Sequence, residues 1–252
     1  MCIVLFAWQA HPRYPLLVAA NRDEFHRRPA EPARWRDDGV FCGRDLAAGG
    51  TWLGVTRDGR FAAVTNFREP IEEHSRGRKS RGELPLGFLR SDLPPDVWCH
   101  EVSAQQDDYG PFNLLVGTRD QLWYVSNRGA APQAVTPGVH GLSNGLLDTA
   151  WPKVTRGKEK LAALGQGEAH PDHLLQLLND HWRPDDHWLP DTGVGLDLER
   201  LVAPIFIESE HYGTRASSVV RLGQTGTPEM IEQSWTARGT PDGAPRSSLS
   251  VS

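Results

Sequence analysis

The sequence predicts an α+β fold built in layers, on three observations. Apolar runs rich in strand formers, joined by short polar turns, occupy both ends of the chain. Helical apolar patterns are grouped in the middle instead of alternating with strands, which argues against a doubly wound parallel sheet. The chain has 252 residues, 38% of them hydrophobic and 9 of them Trp, enough for one compact unit with a sizeable core.

Cys2 to Trp8 is a continuous apolar run and Leu16 to Ala20, after Pro15, is a second; with the polar segment between them they read as a buried hairpin. Thr51 to Thr56 and Phe61 to Phe67 read as another, because Asp58-Gly59 supplies the positive φ angles of a tight antiparallel turn. Pro95 to Gln105 reads as a short helix, with Pro in its first turn and Val97, Trp98 and Val102 at helical spacing. Strands are expected at Phe112 to Gly117 and Leu122 to Ser126, around a polar turn containing Asp120. Trp151 to Leu164 and Asp172 to Trp182 are the clearest helices; Leu174, Leu175, Leu177 and Leu178 give the second an apolar face that should cover a sheet. Leu201 to Glu208, Ser217 to Leu222 and Met230 to Trp235 return to strands. From Thr236 to Ser252 almost nothing is apolar. A single domain over residues 1–237 is therefore expected, with a disordered tail over 238–252.

A formal charge of −5 argues against a nucleic-acid partner, which would require a basic face. The local exception is Arg76, Arg78, Lys79 and Arg81. It reads first as a solvated loop and second as an anion site for a substrate carboxylate or phosphate. Cys2, Cys42 and Cys99 form no metal-spaced cluster, and an odd number cannot all pair within the chain, which fits a reducing compartment. Cys2 to Trp8 is too short to span a bilayer and lacks the basic leader of a secretory signal, so a cytoplasmic protein without a transmembrane segment is expected. His170 with His173, His181 with His187, and Cys99-His100 show no recognised ligand spacing, and Asp172 reads as a helix N-cap. The tryptophans read mostly as core, with Trp52, beside a glycine pair, a candidate pocket wall.

Chemistry enters at Cys2. Aminopeptidases remove an initiator Met when a small residue follows, and the freed α-amine, titrating near ~8, can act as general base for the thiol of the same residue. Alone the feature is weak, since a Cys heading an apolar strand is usually a small buried hydrophobe. Asn21-Arg22-Asp23-Glu24 then places four polar residues at the end of an otherwise apolar strand. Beside the first strand, Arg22 would lower the Cys2 pKa and Asp23 would orient the amine. The bland alternative is an Arg-Asp pair that closes a strand end.

Met1-Cys2-Ile3 followed by Asn21-Arg22-Asp23-Glu24 resembles the NRDE family, the transport and Golgi organisation protein 2 type. The resemblance continues through Gly49-Gly50-Thr51-Trp52-Leu53-Gly54, Thr65-Asn66, Ser80-Arg81-Gly82, Asn113-Leu114, Leu142-Ser143-Asn144 and Tyr212-Gly213-Thr214-Arg215, in order, to about Trp235. It implies a four-layer αββα sandwich of two antiparallel sheets, as in N-terminal-nucleophile (Ntn) hydrolases, near the cholylglycine hydrolase and penicillin V acylase branch that cleaves non-peptide amides. Residue by residue it implies Cys2 as nucleophile, Arg22 and Asp23 beside the amine, Asn66 in the oxyanion hole, Asn144 as amine-binding Asn and Arg215 as the late Arg. One departure stands out: Arg22 and Asp23 are adjacent and on a strand would face opposite ways, unless a bulge or strand end intervenes. The implied activity is an Ntn cysteine amidohydrolase that requires no cofactor. The alternative is a non-enzymatic carrier on the same fold, with haem, acyl-CoA or another lipid as cargo and roles in haem trafficking or lipid metabolism.

Overall fold

The computed structural model describes residues 2–70, 77–165 and 167–249. Strands β1 (Cys2–Trp8) and β2 (Leu16–Phe25) are followed by β3 (Ala30–Trp35), β4 (Val40–Asp45), β5 (Leu53–Thr56) and β6 (Phe61–Asn66), then helices α1 (Glu83–Arg90) and α2 (Pro95–Ala104). Next come β7 (Phe112–Gly117), β8 (Leu122–Ser126), β9 (Gln133–Ala134) and β10 (Gly138–Leu142), helices α3 (Pro152–Leu164), α4 (Pro171–Leu178) and α5 (Leu196–Leu201), and strands β11 (Tyr212–Leu222), β12 (Glu229–Ser234) and β13 (Arg246–Ser247). One sheet runs β10-β1-β2-β11-β12-β13 and the other β3-β4-β5-β6-β7-β8-β9, with antiparallel pairing throughout.

The strand period explains the layers. In β1 the side chains of Val4, Phe6 and Trp8 point into a core shared with Leu53, Val55, Phe61 and Leu115 of the facing sheet. The alternate side chains Ile3, Leu5 and Ala7 pack outward against Val154, Leu161, Leu174 and Leu178 of α3 and α4. A strand covered on both faces must be apolar at every position, which is why Cys2 to Trp8 reads as an unbroken run. On the far side, α1 and α2 cover the second sheet through Leu84, Phe88, Cys99 and Val102 against Val40, Ala62, Val64 and Leu114. The result is the αββα sandwich that the resemblance implied.

Several expectations need correction. Leu201 to Glu208 is no strand. Helix α5 ends at Leu201 and the chain runs on without regular structure while Ile205, Phe206 and Ile207 stay buried. Pro204 lacks an N–H for a ladder, and the neighbouring backbone groups are satisfied elsewhere: Asn21 Nδ2 donates to the Ile205 carbonyl at 2.9 Å, and Ile207 N–H donates to Thr214 Oγ1 at 2.9 Å. Helix α4 stops at Leu178, well short of Trp182, where Asn21 Nδ2 also takes the Leu178 carbonyl, at 3.0 Å. Its N-cap is His170, whose ring accepts from the Asp172 N–H, so Asp172 lies inside the first turn. The expected disordered tail is ordered as far as Leu249: β13 pairs with β12, and Ser248 accepts from Met230 N–H at 2.8 Å and donates to the Pro228 carbonyl at 2.7 Å. Side-chain hydrogen bonds fix this segment in place of apolar burial. Residues 250–252 lie outside the described residues.

One turn positions the site. Gly50 has φ +77°, and a Cβ there would lie 2.4 Å from the carbonyl carbon and oxygen of Gly82. The neighbouring Thr51 N–H donates to that same oxygen at 3.1 Å. The Gly49-Gly50-Thr51 and Ser80-Arg81-Gly82 segments are thus one docked unit. Gly50→Ala is expected to destabilise the fold by about 2–3 kcal/mol, from left-handed strain plus the clash with Gly82. Gly49→Ala, at φ +72° with nothing within 4 Å, carries the strain alone and should cost about 1 kcal/mol. Urea denaturation midpoints separate the two.

Candidate active site

The register places Cys2 opposite Arg22, Arg22 opposite Ala216 and Asp23 opposite Thr214, with a bulge in β11 between Thr214 and Ala216. By strand alternation Cys2 and Arg22 share the face of β1 and β2 that looks toward the second sheet, whereas Asn21 and Asp23 look toward the helices. The two neighbours therefore do diverge, and the bulge lies in the partner strand at Arg215.

On the inner face, Arg22 meets Asp45 of β4 at 3.3 Å and Glu24 at 4.0 Å, and Arg28 reaches the same Asp45 oxygen at 2.7 Å. The Cys2 thiol is pushed up by burial, with the Asp23 charge adding to the rise and the Asp23 backbone N–H and Arg22 opposing it. Arg22 does pull the Cys2 pKa down, as expected, but the net shift is upward. Its guanidinium is already engaged by carboxylates, and desolvation outweighs its field.

On the outer face, Asn21 is fully buried. Besides its two donated bonds it accepts from Ser217 Oγ at 2.6 Å, so it ties α4 and the 202–207 segment to the sheet. Asp23 accepts from Thr214 Oγ1 at 2.7 Å, and its backbone carbonyl accepts from the Tyr212 hydroxyl at 2.9 Å. Burial raises its carboxyl to about 6, against the pull of Lys153, Thr214 and Arg22. Lys153, in the first turn of α3, is 3% exposed and donates to the Val202 carbonyl at 3.0 Å. Burial, then the Arg68 charge, pushes its ammonium down to about 8, while Asp23 and Cys2 hold it up. Lys153 is absent from the sequence reading. Its signal is position: it lies on the buried stripe of α3 with Val154, Gly157 and Leu161.

The 142–145 segment closes the site from the side. Ser143 Oγ donates to the Cys2 carbonyl at 3.0 Å, and Asn144 Nδ2 donates to the Asn66 carbonyl at 2.9 Å. Among the described residues the Asn66 side-chain amide has no hydrogen-bond partner. Arg215 Nη1 reaches the carbonyls of Phe25, His26 and Arg28 at 3.1, 2.9 and 3.2 Å. Arg68 and Glu199 form a buried ion pair, with Arg68 stacked over Trp151 at 4.4 Å.

Cys2, Arg22, Asp23, Asn66, Asn144 and Arg215 all line one cleft of about 630 Å³ between the ends of the two sheets, together with Trp52 and Arg81. Residues 1–237 match the Transport and Golgi organisation 2 family. The chain belongs to that family. It is 34% identical to the mouse Transport and Golgi organization 2 homolog over 264 residues, covering 95% of each chain. It is 33% identical to the human homolog over 259 residues, covering 93% of each. Among solved structures, the fold matches a Caenorhabditis elegans ortholog of N-acylethanolamine-hydrolyzing acid amidase with TM-score 0.52 and 9% identity, over 87% of this chain and 92% of that one. It also matches a variant of the conjugated bile acid hydrolase of Clostridium perfringens, with TM-score 0.52 and 10% identity, over 98% of this chain and 92% of that one. These last two establish the Ntn-hydrolase fold for this member of the family.

Of the basic run, Arg78 and Lys79 pair with Asp108 at 2.7 and 2.8 Å, Arg81 enters the cleft, and Arg76 lies outside the described residues. Among the described residues no group of three or more His, Cys, Asp or Glu side chains is placed to hold a metal ion. No described helix is long and apolar enough to cross a membrane.

Proposed function

We propose that this family member is an Ntn cysteine amidohydrolase acting on a non-peptide amide through Cys2. The observation that carries the reading is the convergence of Cys2, Arg22, Asp23 and Asn66 on one cleft at the head of a central strand. The activities for which the two structural neighbours are named, an acid amidase and a bile acid hydrolase, support it.

Removal of Met1 would leave Cys2 with a free α-amine. Because burial raises the thiol, the nucleophile is made during attack and does not rest as a thiolate. The amine takes the thiol proton as Sγ bonds to the amide carbon, and Asn66 donates to the oxyanion, an interaction worth ~3 kcal/mol of barrier in comparable sites. The resulting ammonium protonates the leaving amine as the C–N bond breaks. Water, with its proton taken by the amine, then cleaves the thioester and restores the thiol. Asp23 orients the amine, and Arg22 balances charge beside the sulfur.

A carrier of haem, acyl-CoA or another lipid on the same fold is the competing reading, and the raised Cys2 thiol favours it. Intact-mass measurement before and after brief iodoacetamide treatment, with peptide mapping, separates the two. The hydrolase reading expects Met1 absent and labelling in the order Cys2, Cys42, Cys99, since these are 8%, 3% and 0% exposed and burial holds Cys99 up at about 12. Retained Met1, or a Cys2 no faster than Cys42, would move the assignment to the carrier, which binds stoichiometrically and releases no product.

A further inference from the structure

The cleft is rich in guanidinium and ammonium groups, and nearly all of them have partners. Arg22 and Arg28 share Asp45, Arg68 pairs with Glu199, Lys79 pairs with Asp108, and Arg215 is anchored on three carbonyls. Arg44, also on the cleft wall, is solvent-exposed. Arg81 differs from all of these. It is half-buried and donates one bond, from Nη1 to the Pro111 carbonyl at 3.0 Å. Among the described residues it has no carboxylate within ion-pair distance.

A guanidinium carries five N–H donors, and a partly desolvated one is costly to leave with most of them unmet. Burial accordingly depresses Arg81, while the Cys2 and Glu24 charges push it back up, and it lines the cleft that holds Cys2. Its position is held from both ends. Gly82 docks against Gly49, Gly50 and Thr51, and the side chain is tethered at Pro111. Arg81 thus lines the same cleft as Cys2, tethered at Pro111 and with most of its N–H donors unengaged, and a guanidinium so placed can bind a planar carboxylate or a phosphate through paired hydrogen bonds.

We propose that Arg81 is the recognition site for an anionic group, carboxylate or phosphate, on the molecule that Cys2 attacks. The assignment rests on the hydrolase reading above and narrows its substrate class to anionic amides. Arg81 binds and positions; it takes no part in proton transfer.

Cys2 provides the probe. Iodoacetate and iodoacetamide alkylate the same sulfur, but only the first carries a carboxylate. Rate constants at Cys2 are measured with both reagents at fixed ionic strength on the full-length protein, its Arg81→Gln variant and its Arg81→Lys variant, with thermal melting to confirm folding. The ratio of iodoacetate to iodoacetamide rate is expected to fall roughly tenfold in Arg81→Gln, with partial recovery in Arg81→Lys. A general change in thiol reactivity moves both rates together and leaves the ratio unchanged, and an unchanged ratio overturns the proposal. Where Cys2 reacts with neither reagent the hydrolase reading fails, and the anion site is decided by titrating acetate and methyl phosphate against the fluorescence of Trp52 and Trp235, which line the cleft. Saturable binding lost in Arg81→Gln sustains the site, and the tighter of the two anions names its source. No saturable response in the parent protein refutes it.

Discussion

Glu199→Gln is expected to destabilise the fold by about 3–5 kcal/mol, although it changes neither shape nor volume. The Arg68 and Glu199 side chains are only 3% and 4% exposed, so the substitution takes the Glu199 countercharge from a guanidinium held out of water. Burial already depresses Arg68, with the Glu199 charge as the main opposing influence. Thr192 N–H and Oγ1 donate to Glu199 Oε1 at 3.3 and 2.5 Å, bonds that the glutamine oxygen can keep only by turning its amide NH2 toward Arg68. The damage should reach the cleft, because Arg68 N–H donates to the Asn144 carbonyl at 2.6 Å and Asn144 in turn holds the Asn66 carbonyl. Urea denaturation with an unchanged slope would report the loss. The double variant Arg68→Met with Glu199→Leu should recover most of it, because the cost belongs to a buried charge that has lost its countercharge. A loss under about 1 kcal/mol in the single variant would mean that water screens the pair.

Legibility in the sequence followed local signals. Cys2 to Trp8 and Leu16 to Ala20 announced themselves because strands buried on both faces admit no polar residue, and Asp58-Gly59 fixed one hairpin through its φ angles. Strand β3 was missed because it is an edge strand with mostly exposed side chains, including Glu31, Pro32 and Arg34, and lacks the apolar run that marks a central strand. Strand β13 was missed for the same reason, being held by Ser248. Ile205 to Ile207 misled in the opposite direction, since burial under a buried Asn produces the same composition as a strand.

The site was legible where residue type and order carried it. All six positions implied by the resemblance line one cleft, and the divergence of Arg22 and Asp23 follows from strand period alone. Pair partners were not legible. That Asp45 would engage Arg22, or that Lys153 would lie near Asp23, depends on contacts between elements distant in sequence. Lys153 reads as a solvated first-turn residue until the opposite face of its helix is known. Arg81 appeared in a basic run and in the Ser80-Arg81-Gly82 segment, with no sign of its role, and its difference from Arg78 and Lys79 lies in Asp108, which satisfies those two and not the third.

Asp23→Asn should make the protein more stable near neutral pH and less reactive at Cys2. Burial raises the Asp23 carboxyl from 3.8 to about 6, so the folded state holds this proton more tightly than the unfolded chain does. The associated stability is fully present below pH 4 and is lost as pH rises through 6. By pH 8 the ionised carboxylate costs the fold up to about 3 kcal/mol. Asparagine retains an oxygen for the Thr214 hydroxyl at 2.7 Å and removes the titration, so the variant's advantage should be small at pH 4, grow between about pH 4 and 6, and level off above that. Lys153 does not confound this window. Its depressed ammonium makes stability rise with pH only above about 8. If Asp23 orients the amine of processed Cys2, the same substitution should slow iodoacetamide labelling of Cys2 by roughly tenfold or more, within the range of general-base contributions. A stability difference that stays flat from pH 4 to 8 would show that Asp23 is not the group titrating near 6. Gained stability without lost reactivity would leave Asp23 a buried structural acid and return the amine to another partner.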